Sequence, residues 1–459
     1  MPLLIRTLGI LLLFSLLPVC RPLAAPSPSA PPAAGAELPA DAGLDQMLAY
    51  AERHNPGLRA ARAAWEAARA RVPQAASLPD PRFTYGYYFQ EVETRVGPQR
   101  QRFGLSQTFP WFGKLGLRAR MAAEAAEAAR QRLEAVRLRV AYRVREAYTE
   151  FAYLRRAVAI TEASAGLLET WEGVIRTRLR AGTGSHAALI KAQVERERLD
   201  DRVRSLRDML TPAAALLNSA LGRPADAPLP AAAEIPDLPP PPPREHLRQR
   251  VLSANPELLA LAHRAARAEA GVELARKLAR PDFTLGVDYV QTDGALATGV
   301  PDSGKDPVMG RITVNLPIWF GTYRAAEREA EAGRRAALAE RHDAEYRLAA
   351  DLDRLLFRYD DAERKVRLYG DSLVRKAQES VRATERAFTA GKADFLDLVE
   401  AQRTLLEFEL ALARARADRA VSAAAIEMLA GGPSRPRPER TPGGETGRPA
   451  TGGPHAPLP

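Results

Sequence analysis

Trp111-Phe112-Gly113-Lys114-Leu115 opens a proline-free stretch that runs to Arg180-Ala181-Gly182, and Trp319-Phe320-Gly321-Thr322-Tyr323 opens a second that ends at Thr389-Ala390-Gly391. Both are rich in alanine, arginine, glutamate and leucine, which favour helix. In the first, apolar or small residues stand at Leu133, Val136, Val140, Val144, Ala147, Phe151, Leu154 and Val158. Steps alternating between three and four are those of a packed helix seam. The second repeats the rhythm at Leu348, Leu352, Leu355, Tyr359, Ala362, Val366, Tyr369 and Leu373. A helix of about 70 residues is roughly 100 Å long at about 1.5 Å per residue. That is too long for an ordinary globular helix, so the spacing predicts a coiled coil or helical tube.

The 459 residues would ordinarily imply two or three globular domains, but helices of this length argue for one extended body. At the start, Arg6, an apolar run from Leu8 to Val19 and the small pair Ala24-Ala25 have the layout of a secretory leader over residues 1–25. Pro26 obstructs cutting after Ala25, which leaves Ala24 or the later Ala34-Gly35-Ala36. Cys20 is the sole cysteine, so an internal disulfide and a thiolate metal site are both excluded. Leu17-Pro18-Val19-Cys20 resembles a lipobox with Val19 where a small residue belongs, so the two readings of Cys20 are removal with the leader and lipidation. No other apolar run reaches the roughly 18 residues of a spanning helix, so a membrane crossing would have to be made by strands.

The net charge of +10 invites a nucleic-acid reading, but 66 basic residues are interspersed with 56 acidic ones and form no basic block. A solvated helical surface accounts for this pattern, and no nucleic-acid partner is expected.

The order of elements occurs twice. Asn55-Pro56 returns as Asn255-Pro256, Pro81-Arg82-Phe83-Thr84 as Pro281-Asp282-Phe283-Thr284, Ala192-Gln193 as Ala401-Gln402, and Gly222 as Gly431. Each copy reads helix, two strands, long helix, turn, helix. The boundaries this implies are a Pro/Ala linker at 26–40, a first repeat at 41–223, a proline-rich linker at 224–243, a second repeat at 244–432 and a tail at 433–459 expected to be disordered. The strands alternate: Phe83, Tyr85, Tyr87 and Phe89 face one way, as do Phe283, Leu285, Val287 and Tyr289, and then Ile312, Val314 and Leu316. Thr84, Gly86, Tyr88, Gln90, Thr284, Gly286, Asp288, Arg311, Thr313 and Asn315 face the other. A further strand is expected near Phe103 to Phe109, stopped by Pro110. An apolar face toward lipid and a polar face toward water is the pattern of outer-membrane strands; two half-buried hairpins on a soluble core are the competing reading, which the leader and the lack of any other core disfavour.

Four strands cannot close a barrel, since the smallest membrane barrels have about eight. An open edge cannot stay in lipid, so several chains must contribute.

At this point the chain resembles the TolC-like outer-membrane efflux proteins from Leu44 to Gly432. The resemblance is carried by the two Asn-Pro pairs, by Gln107-Thr108-Phe109-Pro110-Trp111-Phe112-Gly113 with Asn315-Leu316-Pro317-Ile318-Trp319-Phe320-Gly321, and by the paired tips around Gly182 and Gly391. It implies a mainly α fold with a small β membrane part. Duplicated long-helix hairpins would form a periplasmic α-barrel, and four strands per chain would join a twelve-stranded outer-membrane β-barrel in a homotrimer. It further implies a periplasmic adaptor and an inner-membrane RND pump as partners, in look closest to heavy-metal systems, with no cofactor and no catalysis. The alternatives are a periplasmic coiled-coil adaptor or scaffold, and the duct of a type I protein secretion system.

The candidate functional residues sit at the tips. Asp394, Asp397 and Glu400 recur every three residues after Gly391, along one helix face. In a trimer they would ring a pore mouth with carboxylates and favour cations; a solvated helix face is the alternative. The resemblance places Asp397 and Glu400 at the entrance constriction, and Ala188 and Ala393 where some family members carry a latch. Arg180, Ala181 and Gly182, with Ala390 and Gly391, are helix-ending turns which the resemblance assigns to adaptor docking. Trp111 and Trp319 suit either interfacial anchoring or packing at the strand-to-helix junction. The six histidines are scattered and no enzyme motif is present, so neither metal site nor enzyme is expected.

Overall fold

Where the sequence withholds proline and supplies strong helix formers, the chain is helical. The computed structural model describes residues 38–39, 41–230 and 234–432. The leader, Cys20, nearly all of the first linker and the Gly/Pro/Arg tail lie outside the described residues. The first half runs α1 (Leu44–His54), α2 (Pro56–Ala76), β1 (Arg82–Thr94), β2 (Gly97–Phe109), α3 (Lys114–Arg180) and α4 (His186–Leu221). The second runs α5 (Arg244–Ala254), α6 (Pro256–Leu278), β3 (Phe283–Thr292), β4 (Val308–Val314), α7 (Phe320–Arg367), α8 (Val374–Thr389) and α9 (Phe395–Leu429). A π-helical turn, Leu368–Leu373, joins α7 to α8.

Helix α3 has 67 residues, roughly 100 Å at about 1.5 Å per residue. The shorter α2 and α4 both pack along it, as α6 and α9 pack along α7. Its seam is real but graded: Val140, Val144, Phe151 and Leu154 are buried, whereas Leu133, Val136, Ala147 and Val158 are half-buried. In the second copy Leu348, Leu352, Tyr359 and Ala362 are buried, and Val366, Tyr369 and Leu373 half-buried. Beyond Tyr369 the seam advances in steps of four, through Leu373, Ala377 and Val381. An α-helix at 3.6 residues per turn would drift off its partner over such a run. The wider π turn lies at this place and keeps the seam facing α9.

Both Asn-Pro pairs build the same joint. Asn55 Oδ1 accepts from the amides of Gly57 (2.9 Å) and Leu58 (3.2 Å) and caps α2, while its Nδ2 donates to the Ala220 carbonyl at the end of α4 (2.9 Å). Asn255 does likewise for α6, with Glu257 (2.9 Å), Leu258 (3.3 Å) and the Leu429 carbonyl of α9 (2.9 Å). Proline follows at the first helical position, where its missing N–H costs nothing. Gly222, at φ +81°, completes the first joint: a Cβ there would stand 2.7 Å from Pro56 Cδ.

The strands form one antiparallel sheet in the order β1-β2-β3-β4. Register puts Phe83, Leu105 and Val287 in one row, and Tyr85, Phe103, Tyr289 and Val308 in another. Opposed residues share a face, so the apolar residues form one surface; most of it, Phe89 above all, is exposed in the single chain. Two strand expectations need correction. Leu316 lies past the end of β4, because Asn315 turns to take the Asp282 amide and Pro317 cannot continue a ladder. The first hairpin is longer than the alternation indicates, 13 residues in each strand. Apart from Val92, its upper half, Gln90–Thr94 and Gly97–Arg102, carries no large apolar residue and so gives no period-two signal.

Candidate functional site

The two tips are built alike by helix-ending chemistry. At the end of α3, Gly182 (φ +74°) donates to the Leu179 carbonyl and Thr183 to the Arg178 carbonyl. At the end of α8, Gly391 (φ +73°) donates to Phe388 and Lys392 to Ala387. This paired bonding satisfies the last free carbonyls of each helix and needs the left-handed backbone that glycine adopts without strain. Arg180, Ala181 and Ala390 are exposed beside these glycines.

Of the three carboxylates, two have a local task. Asp394 is the N-cap of α9 and accepts from the Phe395 amide at 2.6 Å, while Asp397 reaches back to the Asp394 amide at 3.1 Å. The two thus form a reciprocal capping box. Glu400 lies one turn on, and all three are exposed on the surface of α9. Their spacing is therefore compatible with capping and with a charged mouth together, since each carboxylate keeps lone pairs toward water.

Beneath the tips, polar ties that spacing does not reveal hold the two hairpins together. Arg178 of α3 donates to the Thr389 carbonyl (2.9 Å), and its guanidinium covers the Phe388 ring at 4.5 Å. Arg403 of α9 grips the buried Glu195 of α4 with a fork of two N–H groups. The Arg403 bond holds the Glu195 carboxyl below the usual carboxylate range against the opposing effect of burial. The repeated glutamine Gln402 donates to Ser164 of α3 at 2.8 Å, while its counterpart Gln193 donates to Glu172 of α3 at 3.4 Å within the first hairpin. Around them pack Leu168, Trp171, Ile175, Phe388, Phe395 and Leu398. Local spacing could not have found these pairs, because Glu195 and Arg403 are brought together only by the fold.

At the other end of the molecule the sheet passes into the helices through a clamp. Asp282 accepts from the Trp111 amide (2.6 Å) and from the buried Lys114 ammonium (2.8 Å), which also reaches the Arg280 carbonyl (2.8 Å). Trp111 stacks on Phe283 with ring centres 5.6 Å apart. Trp319 stands exposed, together with Phe112, Ile318 and Phe320. Trp111 therefore packs at the strand-to-helix junction, whereas Trp319 is exposed.

Over residues 48–223 and 247–432 the sequence matches the outer membrane efflux protein family. The chain belongs to this family. The chain is accordingly an outer-membrane efflux protein, and its long helices are the larger part of it. Membership sets aside the reading as a periplasmic adaptor. Among the described residues no helix is long and apolar enough to cross a membrane, and no group of side chains is arranged to hold a metal ion. Solved structures share the fold. The outer membrane protein VceC from Vibrio cholerae is 19% identical, with a TM-score of 0.70 over 85% of this chain and 96% of that one. CusC is 16% identical, with a TM-score of 0.72 over 86% and 93% of the two chains. The outer membrane channel MtrE of Neisseria gonorrhoeae, in its open state, is 19% identical, with a TM-score of 0.71 over 85% and 89%. No curated protein matches the chain in sequence. In this outer membrane efflux protein the family match falls into two segments, each holding one helix-strand-strand-helix copy.

Proposed function

We propose that the chain is the exit duct of a tripartite efflux system, working as a homotrimer that conducts small molecules or metal ions passively from an inner-membrane RND pump and its periplasmic adaptor to the outside. One observation carries this reading: a four-stranded sheet that is apolar on one face and whose outer strands, β1 and β4, have no further partner within the described chain. Unpaired strand edges are not tolerated in lipid. Three copies joined β1 to β4 would remove every edge and give twelve strands, with Phe83, Tyr85, Tyr87, Phe89, Phe283, Leu285, Val287, Tyr289, Ile312 and Val314 toward the membrane. The helical hairpins would then surround the same axis as a tube. Asp394, Asp397 and Glu400 would ring its far mouth in three copies and favour cations, and the Gly182 and Gly391 turns would receive the adaptor, their small residues allowing close backbone approach. The duct makes and breaks no bonds; the pump supplies the energy.

Electron-microscopic images of the protein extracted in detergent from outer membranes test the reading. Threefold cylinders with a helical part on the order of 100 Å long are expected. Monomeric particles would overturn it.

A further inference from the structure

The face of the sheet opposite the aromatic one has a charge of its own. Where the register is regular, one row across the strands reads Arg82, Ser106, Gly286, Arg311; the next reads Thr84, Gly104, Asp288, Met309; a third reads Gly86, Arg102, Val290. Three guanidiniums thus stand against one carboxylate, a surplus of two positive charges per chain on this face. Asp288 is held between two of them, with Oδ2 3.2 Å from Arg102 and 3.4 Å from Arg311. Its side chain is only 2% exposed, while those of Arg102 and Arg311 are 36% and 40% exposed. The small residues around it make room. A Cβ on Gly104 would come within 2.6 Å of Asp288 Oδ1, and one on Gly286 within 3.5 Å of an Arg311 nitrogen. Arg82 is exposed and has no carboxylate partner among the described residues.

The arrangement is more than a scatter of surface charge. Asp288 accepts an Arg102 Nε–H bond at 3.3 Å on Oδ1, yet its buried Oδ2 accepts no well-directed hydrogen bond. One carboxylate pins two guanidiniums against a floor of glycines and leaves their remaining N–H groups open to solvent. The ends of the strands beyond are mixed in sign and largely self-paired, Arg100 with Glu91 and Asp293, and Lys305 with Asp302. The basic belt is therefore distinct from its surroundings and opposite in sign to the carboxylates at the tip.

We infer that Arg102 and Arg311, organised by Asp288, form with Arg82 an anion-binding belt inside the exit barrel that takes polyvalent oxyanions such as phosphates. The inference rests on the proposed duct, because this face lines water only if the aromatic face meets lipid and three chains close the barrel. Guanidinium presents paired N–H donors that match the oxygens of phosphate and carboxylate, and rings of arginine favour anions in pores. The reach of the belt follows the Debye length, about 8 Å at 0.15 M salt and about 30 Å at 0.01 M.

Planar-bilayer recordings on the full chain test it, with tripolyphosphate added on the barrel side in dilute potassium chloride. Block that weakens with rising salt is expected. R102Q/R311Q, which removes the surplus, should weaken it about tenfold, and R82Q, which leaves the Asp288 pairing intact, about threefold. D288N should strengthen it, because the surplus rises and both guanidiniums are released. These opposite signs separate the belt from damage to the fold, which would shift all variants the same way. Channels that conduct but show equal block in all four proteins overturn the belt alone. Absence of any conductance overturns the duct, and the belt with it.

Discussion

Removing the Asn255 side chain should open the second of the two joints, and its effect can be worked out bond by bond. In Asn255→Ala the amides of Glu257 and Leu258 lose their common acceptor, and the buried Leu429 carbonyl loses its donor. Loss of an N-cap costs about 1 kcal/mol within a range of roughly 0.5–2. A buried carbonyl left unsatisfied adds about 1–3 kcal/mol, and the two together come to about 2–4 kcal/mol. At about 1.4 kcal/mol per factor of ten, the joint should open roughly 30 to 800 times more often. Hydrogen exchange of the detergent-solubilised protein, followed in peptides covering the start of α6 and the end of α9, reads this directly. Asn255→Asp retains the cap acceptor but cannot donate to Leu429, so it should free the end of α9 while largely sparing the start of α6. Exchange in Asn255→Ala within about threefold of the parent at both ends, less than about 0.7 kcal/mol, would mean that Asn255 does not hold the joint.

D397N/E400Q should lower cation preference in bilayer recordings while leaving the first turn of α9 capped, since asparagine retains an acceptor for the Asp394 amide. Unchanged reversal potentials would return those carboxylates to a solvated helix face. Gly391→Ala should strain the second tip by about 1–2 kcal/mol because its φ is +73°, and it should reduce adaptor cross-linking at that tip more than Ala390→Ser does. The Glu195–Arg403 tie should be pH-dependent. Because the folded carboxyl titrates below its unfolded value of about 4.3, its contribution is present above that pH and is lost as pH falls through the lower folded value. Protease resistance of the lower hairpins should therefore drop on acidification below about 4, and Glu195→Gln should flatten the change.

Much of this architecture is legible in the residues because it follows from short periods. The heptad-like steps of α3, the alternation of Phe83 to Phe89 and the helix-ending glycines are each set by neighbours within a turn or a strand pair. What escapes is of two kinds. Arg178 on Phe388, Arg403 on Glu195 and Asp288 between two arginines are contacts made by tertiary approach, and each charged member alone looks like one more charge on a charged helix or strand. The long first hairpin escapes because strand signals come from half-burial, and residues polar on both faces carry none. The π turn left a readable trace that spacing can detect: three successive steps of four, Tyr369 to Leu373 to Ala377 to Val381, where an α-helical seam should have stepped by three at least once.

That turn also explains a mismatch in length between the two copies. Gly391 stands one residue farther from Trp319 than Gly182 stands from Trp111. An extra residue inside an α-helix would rotate everything beyond it by about 100°, turning Phe388 out of the core that holds it. Widening one turn to π geometry absorbs the insertion locally, with the faces on either side kept in phase. Leu368–Leu373 is thus the one place in the second long helix where a deletion of a single residue would be silent to the packing, restoring the uninterrupted helix of the first copy.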